Sequence, residues 1–349
     1  MASPLKSLAV AVDRFDTQGL ATTTETPTAL TIAALGPAEA QALTPLLAAL
    51  SWPWGIVDSA GEIADLAALT ADYAPFIVTV EKPIINGALP VVTLCGLRAF
   101  LLEERSDPVW HVANLTTPFA TMATDFRPWG TMEIFSPAAP TKSPRELVRE
   151  NNIPPHAPAD VRIWMLRGPA SKEQWAEAVF QAFADLSAQA LMRALAGEIK
   201  ADGSLHFKGP PLTQLSRPRN GAAKELNLQG YNDLRDAAAW VYENGVEAER
   251  RHGLFTAELG ATHPRVAIAP LAFRRTASNV LQGARLAYQL SLSDLTREAI
   301  KAQGDLRKAV ADDTAKLADN TRQIATSVAA ALATCVGLIV TLPRWLNPV

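Results

Sequence analysis

Cysteine is nearly missing from this chain: of 349 residues only Cys95 and Cys335 carry a thiol. Two such residues build no disulfide framework, and the usage fits a reducing compartment. A positive surplus is missing too. The chain holds 32 Lys and Arg against 35 Asp and Glu, a formal charge of -3, which removes the bulk electrostatic argument for nucleic acid. The N-terminal "MASPLKSLAVAVDRFD" has an apolar patch that Asp13 ends, short of the roughly 7–15 apolar residues of a secretory signal. The body is therefore expected in the cytoplasm.

Catalytic signatures are absent as well. There is no GxxxxGK[ST] loop, no GxGxxG after a strand, no GxSxG elbow, no HExxH and no CxxC. The five histidines are scattered, and His111, His206, His252 and His263 read as structural. Glu198-Ile199-Lys200 has the spacing of the ExK half of a metal-dependent nuclease site, but the glutamate is expected at a helix end, not on the strand that chemistry requires. No cofactor, metal or catalytic residue is assigned, and the balance leans away from an enzyme.

The most telling lack is of charge near the end. Ile324 to Leu342 is a run of 19 positions without a charged residue, close to the roughly 20 that a helix needs to cross hydrocarbon. Pro343 can stop that helix, and Arg344 and Trp345 suit a headgroup zone. Lys301, Arg307, Lys308, Lys316 and Arg322 precede the run and Arg344 follows it. By the positive-inside rule the body lies in the cytoplasm, at the inner membrane, and the chain reads as tail-anchored. Ala329, Ala333 and Gly337, four apart, form a small-residue face for packing between spans. The competing reading is the last helix of a soluble core.

What is present leads into that run. Leu295, Leu306, Leu317 and Val328 recur every eleven residues, the seam of a stalk helix over 291–323 capped by Ser291 or Ser293. A seven-residue repeat would place Asp313, Lys316 and Asn320 in the seam. Eleven residues per three turns favours straight or slightly right-handed packing between copies; the plainer alternative is one amphipathic helix lying on its own domain.

The body reads as α/β or α+β: an N-terminal unit over 1–126, a proline-rich connection over 127–160 and a second unit over 161–290. "SLAVAVD", "ALTIAAL", "PFIVTVEKP", "PVVTLCGL", "PVWHVANL", "VRIWMLRG" and "GSLHFKG" predict strands. "GPAEAQALTPLLAAL", "GEIADLAALTADY", one long segment from Ser171 to Ile199, "NDLRDAAAWVYEN" and "ASNVLQGARLAYQL" predict helices. Six arginines, Arg250, Arg251, Arg265, Arg274, Arg275 and Arg285, stand against one acidic residue, Glu258. They are the one place where anionic lipid, an acidic partner, nucleic acid or a nucleotide would meet concentrated positive charge. Arg217, Arg219 and Lys224 form a second, weaker basic spot.

These features predict a cytosolic sensing or docking body coupled through an oligomerising stalk to a single transmembrane helix, with membrane lipid, further copies of the chain and another protein as partners. The layout resembles membrane effectors of bacterial (antiphage) defence systems, in arrangement and not in any motif. The alternative is a cytosolic enzyme or adaptor subunit whose C-terminal helix packs on a partner protein.

Overall fold

The computed structural model describes residues 4–341 except 68, 86, 132, 133, 210, 211 and 263–266, and side chains in that range except at 294–296 and 338–341. The chain divides into two compact units, Met1–Arg285 and Leu286–Val349.

The first unit begins with α1 (Pro4–Thr17), where a strand is expected. The alternation of Leu8, Val10 and Val12 imitates a period of two, but Leu5, Leu8, Val12 and Phe15 are the buried set and Val10 is exposed. Spacing of three and four wins because both flanks supply the next helical contact. Then come β1 (Thr22–Glu25), β2 (Ala29–Leu35), α2 (Pro37–Ala48), β3 (Trp54–Val57) and β4 (Phe76–Glu81). These strands form an antiparallel sheet in the order β1-β2-β4-β3. In "FIVTVE" buried and exposed residues alternate strictly, the mark of a sheet with one dry face. The helix expected in "GEIADLAALTADY" is not formed. Asp58 accepts from the Ala60 and Glu62 N–H groups and Asp65 from Ala67, and such local carboxylate bonds compete with the helical ladder.

Next are β5 (Ala88–Val91), α3 (Leu94–Leu102), β6 (Val109–Val112), β7 (Phe119–Ala120) and β8 (Asp125–Pro128). Their sheet runs β5-β6-β8-β7, with β5, β6 and β8 parallel. "PVVTLCGL" is thus half strand and half helix, because Thr93 accepts from the Gly96 N–H and caps α3. After α4 (Pro144–Leu147) and β9 (Arg149–Glu150) a strand is expected in "VRIWMLRG", but Asp160 caps a 3-10 turn at Val161–Ile163. The long helix expected from Ser171 is two, α5 (Lys172–Trp175) and α6 (Ala178–Ala194). Glu177 interrupts it, its carboxylate accepting from the Thr116 and Thr117 N–H groups. The short strands β10 (Glu198–Ile199), β11 (Leu205–Phe207) and β12 (Thr213–Leu215) join β9 in the order β12-β11-β10-β9. The helices α7 (Ala222–Tyr242), α8 (Ala248–Thr262) and α9 (Ala269–Thr341) complete the set.

Among the described residues two apolar clusters fill the first unit. The smaller joins α1, α2 and the first sheet; the larger runs from Leu89 to Ala284. Val148 and Ala157, inside the proline-rich stretch 127–160, belong to the larger cluster together with Phe126 and Val161, so that stretch is part of one core. Glu25 is placed between the clusters. Its carboxylate accepts from Lys82 Nζ at 2.9 Å, the Val92 and Thr93 N–H groups and Thr93 Oγ1, with both charged side chains fully buried. Every oxygen is served, the condition under which a buried ion pair is tolerated.

The mixed α/β body with a long C-terminal helix is as expected, but the helix differs in two ways. It begins at Ala269, not near 291, and Ser291 does not cap it, because its hydroxyl donates to the Tyr288 carbonyl inside the helix. Among the described residues no helix is long and apolar enough to cross a membrane. The last 18 residues with described side chains, 320–337, take in Asn320, Arg322 and Gln323, and the apolar run continues past them.

Candidate functional site

The first unit carries a cleft of about 640 Å³. The end of α3 supplies Leu102, Glu103 and Glu104, α4 supplies Arg145, and Pro154 to Pro158 form one wall. Opposite lie Trp164 and the α6 residues Leu186, Gln189, Ala190 and Arg193, with Arg217 and Asn220 from the segment before α7.

The charges around it are unevenly matched. Arg145 faces Glu104 at 3.6 Å and donates to the Ala157 carbonyl, while Glu104 also accepts from the Ala159 N–H. Glu103 lies 3.9 Å from Arg105. His156 and Asn152 bind Glu150, which also takes the His156 and Ala157 N–H groups. Burial alone would raise the Glu150 pKa, yet these donors hold it below the usual carboxylate range. Among the described residues no carboxylate forms an ion pair with Arg193 or Arg217. Arg193 has only a long contact, 3.5 Å, to Gln189. Its pKa is depressed first by burial and then by the charge of Arg217, with Glu150 pulling the other way. Gly203 makes room for Arg217: its φ is +79° and an added Cβ would lie 2.7 Å from Arg217 Cδ. Trp164 is buried, and among the described residues its indole N–H has no hydrogen-bond partner.

Nothing in the sequence marks Arg145, Arg193 or Trp164, which lie on separate elements and meet only through packing. Arg217 is visible as part of the weaker basic spot; its exposed neighbours Arg219 and Lys224 are not in the cleft.

The six expected arginines do not share one described site. Arg251 donates to the Trp240 carbonyl and lies over the Trp240 ring. Arg274 packs on Gly230 and donates to the Glu225 carbonyl. Gly230 and Trp240 are ten residues apart on α7, about 15 Å along it. Arg250 lies beside Arg251 on α8, Arg275 and Arg285 are exposed on α9, and Arg265 and His263 lie outside the described residues.

Glu198 is on β10, not at a helix end. It pairs with Lys200 at 2.7 Å. The parallel register sets Glu198 beside Arg149 and Ile199 beside Glu150, so the two carboxylates project to opposite faces. Among the described residues no three metal-ligating side chains come together. Of the remaining histidines, His111 and His206 are buried on β6 and β11, and burial lowers the His252 pKa on α8 to about 4.

In the second unit Leu306, Leu317 and Val328 are 65%, 66% and 51% exposed, and Ala329, Ala333 and Gly337 are exposed as well. The side chain of Leu295 lies outside the described set. Comparison with known proteins adds no relative: no family model, no curated protein and no solved structure matches this chain.

Proposed function

We propose that this chain is a membrane protein in which the body binds a ligand or partner and the C-terminal helix associates with copies of itself, its apolar run from Ile324 to Leu342 lying in lipid. The observation that carries the reading is the uncovered apolar series on α9: Leu306, Val310, Leu317, Ile324, Val328, Leu332 and Val336 are each more than half exposed in the single chain. Apolar side chains in such a series are unfavourable in water and are stabilised against a partner helix or hydrocarbon. Ile324 to Leu342 supplies the length that a span needs.

On this reading the body faces the cytoplasm, and a ligand that distinguishes two packings of the helices shifts the balance between them. The layout fits an effector that acts on the membrane of a bacterium in defence against phage. No catalytic group is required for that role.

Cell fractionation tests the proposal. Full-length protein should sediment with membranes, resist alkaline washing and come free only in detergent, and truncation after Gln323 should release it. Full-length protein in the soluble fraction would remove the lipid part of the proposal. Growth arrest that depends on the residues after Gln323 would support the effector role.

A further inference from the structure

We propose that the cleft between α3, α4, α6 and the segment before α7 binds a small phosphorylated molecule, its phosphate held by Arg193 and Arg217. The inference deepens the ligand-binding part of the reading above and is independent of whether α9 meets lipid, since the cleft lies wholly within the first unit.

Among the described residues Arg193 and Arg217 have no paired carboxylate, whereas Arg145, the third arginine of the cleft, has Glu104. Arg193 is half-buried, and a partly desolvated cation without a counter-ion is costly; an anion from outside removes that cost, with the exposed Arg217 as a second donor. Phosphate suits the pair better than carboxylate. It carries about -1.5 to -2 charge at neutral pH and three acceptor oxygens, enough for two forks of parallel N–H donors. The cleft volume of about 640 Å³ falls within the range of small-molecule sites and leaves space for an organic remainder. Leu102, Leu186, Ala190 and the prolines offer that remainder apolar walls. Glu103, on the rim and mostly exposed, offers an acceptor for a hydroxyl or amino group. The same rim carboxylates disfavour a bulky polyanion, so a monoester is the expected class. Polyphosphates should bind less well.

Calorimetric titration of the full-length, detergent-extracted protein tests this with inorganic phosphate, AMP, glucose 6-phosphate, ATP and a short-chain phosphatidic acid as probes. At least one of the two soluble monoesters should bind with a Kd below about 1 mM, more tightly than inorganic phosphate or ATP. Arg193→Gln and Arg217→Gln should each weaken it by about tenfold or more. Arg217 is exposed, so its variant reports on binding even where Arg193→Gln misfolds. Absence of binding by both monoesters up to 10-fold above that limit would overturn the proposal, as would unchanged affinity in Arg217→Gln or binding of the phosphatidic acid alone. Each result leaves fractionation and self-association unaffected, so failure of this site is distinguishable from failure of the wider reading.

Discussion

Two stretches of α9 spend the same kinds of side chain in opposite ways. In the first, Ala269, Ala272, Phe273, Ala277, Val280 and Ala284 are all at most 1% exposed and belong to the larger core. In the second, Leu306, Leu317 and Val328 recur with equal regularity yet remain more than half exposed. The first stretch has found its cover within the chain. The second has not, and about 1 kcal/mol or more per large side chain is left to gain on burial. One helix thus serves as core at its start and leaves its large apolar side chains uncovered further on.

Substitutions sharpen that contrast. The largest effect belongs to Phe273→Ala, which removes a fully buried ring packed on Phe207 and should cost about 3–5 kcal/mol in chemical denaturation of the body.

A slightly smaller effect concerns acid and base, and it too belongs to the body. Burial raises the Asp13 pKa from 3.8 to about 6 and lowers the His252 pKa from 6.5 to about 4. The Asp13 contribution is present at low pH and is lost as pH rises through 6. The His252 contribution is present above 6.5 and is lost as pH falls toward 4. The two oppose each other. Native stability should therefore change little between pH 6.5 and 4, whereas Asp13→Asn should lose about 3 kcal/mol over that window. A parallel Tm profile for both proteins would show that Asp13 titrates normally. The slope should be the same in a chain truncated after Gln323.

The smallest expected effect on folding is in the second stretch. Leu317→Ala should alter body stability by less than about 0.5 kcal/mol, while weakening self-association in detergent. Equal losses from Phe273→Ala and Leu317→Ala would erase the distinction between the two stretches.

Much of this contrast is legible in the residues alone. "ALTIAAL" and "FIVTVE" announce half-buried strands because one face is dry and the other wet. The eleven-residue recurrence of Leu306, Leu317 and Val328 shows the helix without any neighbour. The errors have local causes: Asp58, Asp65 and Asp160 bind backbone N–H groups and stop regular structure, and Glu177 is drawn out of a helix by Thr116 and Thr117. In α9 the helix of "ASNVLQGARLAYQL" is legible, but its beginning at Ala269 and its continuity with the stalk are not, because the buried and the exposed alanine-rich turns share one periodicity. The cleft is not legible at all, since Arg145, Arg193 and Arg217 become neighbours only after α4, α6 and the loop before α7 are packed.

The most direct test of the central claim, that the second stretch of α9 is covered by other copies of itself, is the mass of the full-length protein extracted in mild detergent. The account predicts two or more times 37.4 kDa after correction for bound detergent, falling to one copy when Leu306, Leu317 and Val328 are all changed to Asp. A single copy in the unaltered protein, at concentrations from nanomolar to micromolar, would contradict it.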